Sequence, residues 1–300
     1  MIIVNIKNGL GNQMFQYAFG KVLETKYGEK VWFDLMRDGE DKTPLVSDLD
    51  VFQIEPILEV NQKLVEPFKP FSVAYYRIHK KYLAYIYFKI RRMVQPNRLI
   101  TERFPAEYTR YFENINSKKN YYFLGFWQNA SYYTGFEDKI RKLFQPKDNS
   151  VYQSALAREI FQSAFETVSL HIRRGDYLTA GFIEPASEQY IYRAINHIRS
   201  RLKNPFFYIF TDDPQWVKEN LIIDLPFKLV EGNEGKNSHK DIILMSLCKH
   251  NIIANSSFSW WGAWLNSNAG KIVIAPMKWY STPERDQGSD FITPKEWIRL

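Results

Sequence analysis

The chain has 300 residues, of which 45% are hydrophobic and 24% are charged, so it can fold around one large core or two cores of ordinary size. Forty Lys and Arg residues against 33 Asp and Glu residues give a net charge of +7, which favours anionic partners without selecting one. The sequence has only one candidate basic cluster, residues 74–94, and this argues against a nucleic-acid-binding protein.

The sequence contains no targeting segment, no pair of cysteines and no membrane-spanning stretch. Cys248 is the single cysteine, so no disulfide can form within the chain, and nothing indicates a structural zinc site. No basic segment followed by a long apolar run opens the sequence, and no apolar stretch approaches the roughly 20 residues that span a bilayer. We therefore expect a soluble cytoplasmic protein. Aromatic residues make up 16% of the chain; Tyr and Trp can stack on sugars, although we expect most in the core.

The N-terminal segment predicts the start of a βαβ unit. A strand over Ile2–Ile6 is followed by the turn KNGLGNQ, a helix over 14–27 and a second strand over 31–33. The turn resembles a dinucleotide-binding fingerprint, with Asp34 in the place of the ribose-binding acid, but Met14 replaces the third glycine. A nicotinamide or flavin site is therefore an alternative only, and we favour a turn that comes close to some other ligand.

The middle of the chain contains the basic cluster and a linker. Residues 74–94 interleave Lys and Arg with Tyr and Phe and contain no acid, so a helix there could lie peripherally on an anionic membrane. The alternative is an ordinary helix with one buried face. A strand is predicted over 121–127 and a helix from about 131 to 144, before the polar linker Pro146–Ser150. The linker suggests a first domain over residues 1–148 and a second over 149–300.

The second half alternates predicted strands with predicted helices. Strands are predicted over 168–172, 206–210, 227–230, 251–254 and 271–275, with helices over 188–202, from 214, over 241–248 and over 258–266. This alternation is typical of a parallel, doubly wound α/β sheet. Together with the first half, it predicts two Rossmann-like domains with a cleft between them.

Polar side chains follow the strands of this second half. They are His171, Arg173, Arg174 and Asp176 after the first strand, Thr211, Asp212 and Asp213 after the second, and Asn255, Ser256 and Ser257 after the fourth. Because the carboxyl ends of parallel strands share one edge of a sheet, we expect these groups to converge. Two guanidiniums beside a glycine and a carboxylate predict a site for a phosphorylated ligand, and a solvated charged turn is the alternative.

Three of these groups allow more than one interpretation. The Ser256–Phe258 segment opens a predicted helix, so it could form a phosphate cradle or a plain N-cap. Asp212 and Asp213 could hold Mg²⁺ or Mn²⁺ beside a diphosphate, or Asp213 could cap a helix while the arginines neutralise the phosphate. His171 alternates with core positions of its strand, so its imidazole could be a buried structural group.

Four motifs occur in a recognisable order: KNGLGNQMFQYAFG at the start, HIRRGDY at 171–177, FTDD at 210–213 and NSSFSWWGAWLN at 255–266. Together they resemble the α-1,2-fucosyltransferases of glycosyltransferase family 11. The resemblance implies a GT-B fold with the acceptor held mostly by the first domain and GDP-fucose by the second. It implies an inverting, metal-independent transfer of L-fucose to the 2-hydroxyl of a terminal galactose. Because the sequence shows no membrane anchor, we expect the acceptor to be a bacterial O-antigen, capsule or oligosaccharide.

The resemblance also suggests donor-binding residues. Arg173 is expected to contact the diphosphate. In related enzymes, an acid at a fixed distance before the second serine of this motif binds the guanine edge, and Asp241 lies at that distance before Ser257. A carboxylate suits guanine because the Watson–Crick edge of that base offers two adjacent N–H donors. The full predicted set for the donor is His171, Arg173, Arg174, Asp212, Asp241, Ser256, Ser257 and Phe258.

Transfer to a hydroxyl also needs a base and an acceptor site. Asp176 is the first candidate for the base and Glu184 the second, although Asp176 could instead hold the arginines in place by a salt bridge. Arg173 is predicted to stabilise charge on the leaving diphosphate. The residues predicted to bind the hydroxyls and rings of the acceptor are Asn12, Gln13, Gln16, Trp127 and Gln128. Other interpretations are transfer of a different sugar or to a different hydroxyl, and a non-catalytic nucleotide- or glycan-binding protein.

Overall fold

A computed structural model describes residues 1–35, 47–65, 68, 97–102, 115 and 119–300. The basic segment 74–94 lies outside these residues, so its membrane contact stays a prediction. No helix in the described ranges has both the length and the apolar character that crossing a membrane requires.

The first half forms a four-stranded parallel sheet. Its elements are β1 (Ile2–Asn5), α1 (Leu10–Tyr27), β2 (Val31–Asp34), α2 (Gln62–Val65), β3 (Asn97–Thr101) and β4 (Asn120–Leu124). The strand order is β2-β1-β4-β3, so β1 lies in the interior, and its four residues are all buried. The predicted strand–turn–helix–strand unit is therefore present, with β3 as a strand that the sequence pattern did not reveal.

Two boundaries differ from the prediction for local reasons. Helix α1 begins at Leu10 rather than at residue 14 because the backbone carbonyl of Gly9 already accepts the N–H groups of Asn12 and Gln13. Strand β4 ends at Leu124 rather than at residue 127, and Trp127 has a φ of 58°, which extended backbone does not allow.

Three short helices connect the two sheets: α3 (Glu137–Leu143), α4 (Ser150–Gln153) and α5 (Ala155–Phe161). The continuous helix predicted up to residue 144 is interrupted, because Gly135 adopts a φ of 84° between a 3₁₀ turn at Ala130–Tyr133 and α3. The predicted domain boundary at residue 148 falls in this connection, between the last strand of the first sheet and the first strand of the second, and it stays a prediction.

The second half forms a six-stranded parallel sheet. Its elements are β5 (Glu166–Ile172), α6 (Glu188–Arg201), β6 (Pro205–Thr211), α7 (Pro214–Asn220), β7 (Phe227–Val230), α8 (His239–Leu247), β8 (His250–Ile252), α9 (Ser257–Leu265), β9 (Val273–Ala275), α10 (Pro283–Asp286) and β10 (Ile298–Arg299). The strand order is β10-β9-β8-β5-β6-β7. Sequence analysis found every strand of this sheet except the two-residue β10.

Strand register places the polar groups of the second sheet side by side. Ile172 of β5 lies opposite Thr211 of β6, so Arg173 and Asp212, the residues that follow them, leave the sheet at the same level. On the other side, Leu170 of β5 lies opposite Ile252 of β8, which leads into Asn255. The convergence predicted from the parallel strands is therefore confirmed.

The two sheets share one aromatic core between α1 and α9. The ring of Phe15 lies 4.5 Å from that of Trp260 and 4.9 Å from that of Trp261, and all three side chains are buried. Trp261 Nε1 donates a 3.0 Å hydrogen bond to the carbonyl oxygen of Gly11. A Cβ at Gly11 would lie only 2.7 Å from the backbone nitrogen of Phe258. The glycine turn of the first half therefore packs directly on the amino end of α9.

Candidate functional site

Residues 173–178, which we call the arginine loop, form a network of ion pairs at the end of β5. Arg173 contacts Asp176 at 2.6 Å and Asp212 at 3.1 Å. The Asp176 carboxylate remains 67% exposed, so it is available to a ligand as well as to Arg173. The structure thus places the predicted phosphate-binding arginine and the first candidate base in direct contact.

Asp212 supports the arginine loop from the neighbouring strand. Its Oδ1 accepts the backbone N–H of Arg174 at 2.8 Å, while its Oδ2 pairs with Arg173. A Cβ at Gly175 would collide with the same Oδ2, so Asp212 would have to move away from the loop to accommodate a larger residue. The glycine of the RRGD sequence is therefore explained by the approach of Asp212 to the loop backbone.

All four carboxylate oxygens of Asp212 and Asp213 have partners within the chain. Asp213 Oδ1 accepts the N–H of Trp216 at 3.0 Å and caps α7, which was one of the two interpretations that the sequence allowed. Asp213 Oδ2 pairs with Nε of Arg174 at 3.2 Å. Within the described ranges, no group of three or more His, Cys, Asp or Glu side chains is arranged to hold a metal ion. A cation bound by these two aspartates would have to displace arginine and backbone donors.

The amino end of α9 faces the arginine loop. Ser256 Oγ accepts the N–H of Phe258 at 3.3 Å, so the predicted N-cap is present. Gly11 covers one side of this helix end, while Ser256, Ser257 and Phe258 still line the open cleft. Free N–H groups at a helix amino end attract anions, so this element can complement Arg173 around a phosphate.

His171 lies beneath these groups as a buried neutral imidazole. Its burial lowers the pKa to about 3, and the positive charge of Arg173 acts in the same direction. The ring lies 5.8 Å from the ring of Phe258, and Nδ1 is buried without a hydrogen-bond partner among the residues that the structure describes. His171 can therefore donate or accept one hydrogen bond without adding charge to the site.

Asp241 lines the far end of the cleft from the first turn of α8. Asn233 Nδ2 donates a 2.7 Å hydrogen bond to its Oδ1, which fixes the carboxylate. Burial raises the pKa of Asp241 to about 7, and the charge of Glu234 raises it as well, whereas the Asn233 bond lowers it. This carboxylate is well suited to accept N–H donors of a base that enters the cleft.

These elements enclose one cleft of about 700 Å³ between the two halves, which we call the donor cleft after the predicted donor-binding residues that line it. One wall comes from the glycine turn and from Asp48 of the first half. The other wall comes from the second sheet and its helices, and includes His171, Arg173, Asp176, Tyr177, Asp212, Asp241 and Ser256–Phe258. Arg174 stands beside the cleft, paired with Asp213 and with its guanidinium 4.1 Å from the Trp216 ring.

Of the five residues predicted to bind the acceptor, only Asn12 lines the donor cleft. Gln128 is buried behind it and donates a 2.7 Å hydrogen bond to Asn12 Oδ1. Gln13 and Gln16 are fully buried, and their amides bond to Asp48 and to Gly125 O respectively. Trp127 is fully buried against the Phe19 ring at 4.2 Å. An acceptor role for these five residues stays a prediction.

Glu184, the second candidate base, does not line the donor cleft in the described part of the chain. It lines a separate cavity of about 310 Å³ beside β9. Tyr177 and Asn233 are among the residues at the donor cleft that sequence analysis missed. Tyr177 donates to the backbone carbonyl of Asn255 at 3.2 Å, and Asn233 lies in an irregular loop, so neither had a periodic signal.

Comparison with protein families identifies the chain. The family model described as Glycosyl transferase family 11 matches residues 1–300. The chain belongs to this family. Among family relatives, the Alpha-1,2-colitosyltransferase of Escherichia coli is 32% identical, with 100% of this chain and 99% of the relative covered. The O-antigen biosynthesis glycosyltransferase WbnK of Escherichia coli is 29% identical, with 98% and 99% covered.

The fold of this family 11 glycosyltransferase is also found in solved structures. The NodZ alpha-1,6-fucosyltransferase, in crystals soaked with GDP-fucose, aligns with a TM-score of 0.50 over 88% of this chain and 91% of the other. The two sequences are 13% identical, so the likeness concerns the fold alone. The predicted GT-B fold, two parallel α/β units facing a cleft, is confirmed.

Proposed function

We propose that this glycosyltransferase moves L-fucose from GDP-fucose to the 2-hydroxyl of a terminal galactose, with inversion and without a metal ion. One observation carries the donor half of this proposal. A single cleft joins Arg173 and the amino end of α9, which suit a diphosphate, to Asp241, which suits guanine.

Electrostatics in the donor cleft support departure of GDP without a metal. Arg173 already shares its charge between Asp176 and Asp212, so a diphosphate can take the place of one carboxylate partner. The α9 amino end adds backbone N–H donors fixed by the Ser256 cap. Donors fixed in advance, and aimed at the oxygen that gains charge, stabilise the transition state without reorganisation.

Asp176 is our first candidate for the proton acceptor. In the proposed step, the galactose oxygen forms a bond to the anomeric carbon of fucose while the bond from that carbon to the β-phosphate oxygen breaks. The hydroxyl proton passes to the Asp176 carboxylate, and GDP leaves with both bonding electrons. The 2.6 Å contact to Arg173 also fits a positioning role for Asp176, in which it holds the guanidinium toward the phosphate.

The choice of fucose and of the 2-hydroxyl rests on resemblance. The four motifs resemble α-1,2-fucosyltransferases, and the name of the colitosyltransferase relative carries the same 1,2 linkage. That relative also favours a second candidate function, transfer of colitose, a deoxy form of fucose without the 3-hydroxyl. The O-antigen relative supports a polysaccharide of the bacterial surface as the acceptor.

The test is GDP release from GDP-fucose and from GDP-colitose, with and without a β-galactoside, in the presence of EDTA. We expect acceptor-dependent release with GDP-fucose that EDTA leaves unchanged, and nuclear magnetic resonance of the product should show a 1,2 linkage. Arg173→Ala should lower this rate by about 100-fold or more, because it removes a cation from the leaving group. Arg199→Ala is the matched control, because Arg199 pairs with Asp224 on the exposed surface.

Each part of the proposal has its own contradicting result. Faster turnover of GDP-colitose than of GDP-fucose would show that colitose is the transferred sugar. Loss of activity in EDTA would contradict the metal-free mechanism. GDP binding without release from either donor would indicate a non-catalytic binding protein. An equal loss in Arg173→Ala and Arg199→Ala would show that Arg173 has no special role at the diphosphate.

A further inference from the structure

Gln128 is a buried side chain that is connected to the donor cleft through Asn12. Its Nε2 donates a 2.7 Å hydrogen bond to Asn12 Oδ1, and Asn12 lines the donor cleft from the first turn of α1. Gln128 itself is 5% exposed and is not among the described residues that line this cleft. Any effect of Gln128 on a substrate in the cleft would therefore pass through Asn12.

Two buried glutamines of the first half use their amides differently. Gln16 uses both ends, since its Oε1 accepts the N–H of Lys7 at 2.8 Å and its Nε2 donates to Gly125 O at 3.0 Å. Gln128 uses one end, because its Oε1 is buried without a hydrogen-bond partner among the residues that the structure describes. A buried acceptor without a partner reduces stability. Gln128 is therefore a poor structural bridge, and the bond that its side chain makes is to a residue of the cleft.

The backbone that carries Gln128 is strained at the preceding residue. Trp127 has a φ of 58°, a left-handed conformation that bulky side chains rarely adopt. Buried groups hold it there: the Glu102 carboxylate accepts the N–H of Trp127, and the Tyr133 hydroxyl donates to its carbonyl oxygen at 2.6 Å. Strained residues of this kind concentrate at functional sites, where the surrounding structure fixes them. The chain thus reaches Asn12 through a turn that costs stability.

The bond from Gln128 also sets which end of the Asn12 amide is available to a ligand. A side-chain amide has one oxygen that accepts hydrogen bonds and one NH₂ group that donates them. Asn12 Oδ1 is occupied by Gln128, so Nδ2 is the atom that remains. Asn12 therefore offers the donor cleft a hydrogen-bond donor rather than an acceptor.

Asn12 lies close to the proposed diphosphate site but on the opposite wall of the cleft. The preceding residue, Gly11, packs on the backbone of Phe258 at the amino end of α9. Arg173 and α9, which suit the leaving diphosphate, belong to the second half, whereas Asn12 belongs to the first. In an inverting displacement, the nucleophile approaches the anomeric carbon from the side opposite the leaving group. A donor on the first-half wall is therefore well placed for an oxygen of the incoming sugar.

We propose that Gln128 is a positioning residue, which holds the Asn12 amide so that Nδ2 donates a hydrogen bond to a hydroxyl oxygen of the galactoside acceptor. The inference rests on the proposed function, because the galactoside is the acceptor only in that reaction. It separates two of the residues predicted for the acceptor by role: Asn12 touches the sugar, and Gln128 acts through Asn12.

The experiment is a double-mutant cycle between Asn12→Ala and Gln128→Leu. It measures kcat/KM for lactose at a saturating concentration of GDP-fucose. We expect each single variant to lower this value by about three- to tenfold, the size of one lost hydrogen bond. The double variant should be no worse than Asn12→Ala, because Gln128 then has no amide left to hold. The affinity for GDP should stay unchanged in all variants, which shows that each is folded.

Gln153→Leu is the matched control for the cycle, because Gln153 is exposed on α4. It should leave kcat/KM for lactose unchanged in the wild type and in Asn12→Ala alike. A merely structural role of Gln128 predicts a different result, in which the losses of the two single variants multiply in the double variant.

Asn12→Asp tests the direction of the hydrogen bond to the acceptor. Aspartate still accepts from Gln128, but it presents an oxygen to the cleft where asparagine presents an N–H group. We expect a loss of kcat/KM for lactose at least as large as that in Asn12→Ala. Wild-type activity in Asn12→Asp would overturn the inference, and so would losses that multiply in the double variant.

Failure of the proposed function is distinguishable from failure of this inference. If lactose is fucosylated but the losses multiply, the reaction stands and the positioning role of Gln128 is wrong. If no fucose is transferred, the same cycle is measured as binding of lactose to the GDP-loaded protein by saturation-transfer nuclear magnetic resonance. Losses of binding that do not multiply would then support the positioning role although the reaction is wrong. Wild type that neither binds nor fucosylates lactose would overturn both.

Discussion

The carboxyl edges of the two parallel sheets both carry polar residues but use them differently. At the first edge, Gln13, Gln16 and Asp34 are buried and bond to their own chain: Asp34, for example, accepts from Gln62 at 2.8 Å and from the Tyr122 hydroxyl at 2.6 Å. At the second edge, Arg173 and Asp176 are 35% and 67% exposed in the donor cleft.

Neighbouring segments explain this difference. Chain from the 47–55 region covers the first edge, where Asp48 bonds to Gln13 and the Glu55 carbonyl accepts from Tyr17. The second edge is held open, because the arginine loop is fixed from the side by Asp212 rather than covered from above. A polar residue at a strand end is therefore available to a ligand where the neighbouring segments leave it exposed, and it is structural where they bury it.

The largest effect that separates the two edges is expected from Asp176→Asn. If Asp176 is the base, transfer should fall by about 10²–10⁴-fold, with the affinity for GDP and the thermal stability nearly unchanged, since the side chain is exposed. Azide needs no deprotonation, so it should restore sugar release from GDP-fucose in this variant. Asp224→Asn, which loses an exposed partner of Arg199, is the control and should keep full activity.

The positioning role of Asp176 makes the opposite prediction. Without its partner, Arg173 would be less well held toward the diphosphate, so the affinity for GDP would fall together with the rate. Azide would then give no rescue. Kinetics with and without azide, beside a GDP titration, therefore distinguish the two roles.

At the first edge, Gln16→Leu should reduce stability and leave the donor site intact. Gln16 accepts the N–H of Lys7 at 2.8 Å and donates to Gly125 O at 3.0 Å. Leucine removes both of these hydrogen bonds, and the Gly125 carbonyl is buried, so the loss costs about 1–3 kcal/mol in the free energy of unfolding. Denaturant titration measures this loss, and Gln153→Leu, at an exposed position, is the control.

The same variant tests whether the polar residues of the first edge are purely structural. If Gln16→Leu raises the KM for the acceptor at unchanged stability, then Gln16 faces a ligand, as sequence analysis predicted, and the first edge is not purely structural. A reduced stability with unchanged KM for both substrates would support the structural role.

How far the sequence predicts the site depends on how local each interaction is. The Arg173–Asp176 contact spans three residues, and the meeting of Arg173 with Asp212 follows from parallel strands that end together, so both were accessible to pattern analysis. The burial of Gln13 and Gln16 was not, because it depends on segments at Asp48 and Gly125 that carry no periodic signal. The bridge made by Asn255 joins carbonyls 71 and 24 residues away, and no spacing rule anticipates it.

The smallest effect concerns the pH dependence of GDP binding. Asp241 has a pKa raised to about 7 by burial, so its carboxylate is mostly ionised at pH 8 and mostly protonated at pH 6. If the ionised form accepts the guanine N–H groups, the affinity for GDP should fall by about tenfold from pH 8 to pH 6. Asp241→Asn should bind GDP more weakly at pH 8 and lose most of this pH dependence. This variant therefore distinguishes titration of the Asp241 carboxylate from titration of the diphosphate itself.

Calorimetry with inosine diphosphate, which lacks the exocyclic amino group of guanine, should show a smaller effect of the Asp241→Asn substitution on binding. An identical pH profile in wild type and Asp241→Asn would place the guanine elsewhere in the donor cleft.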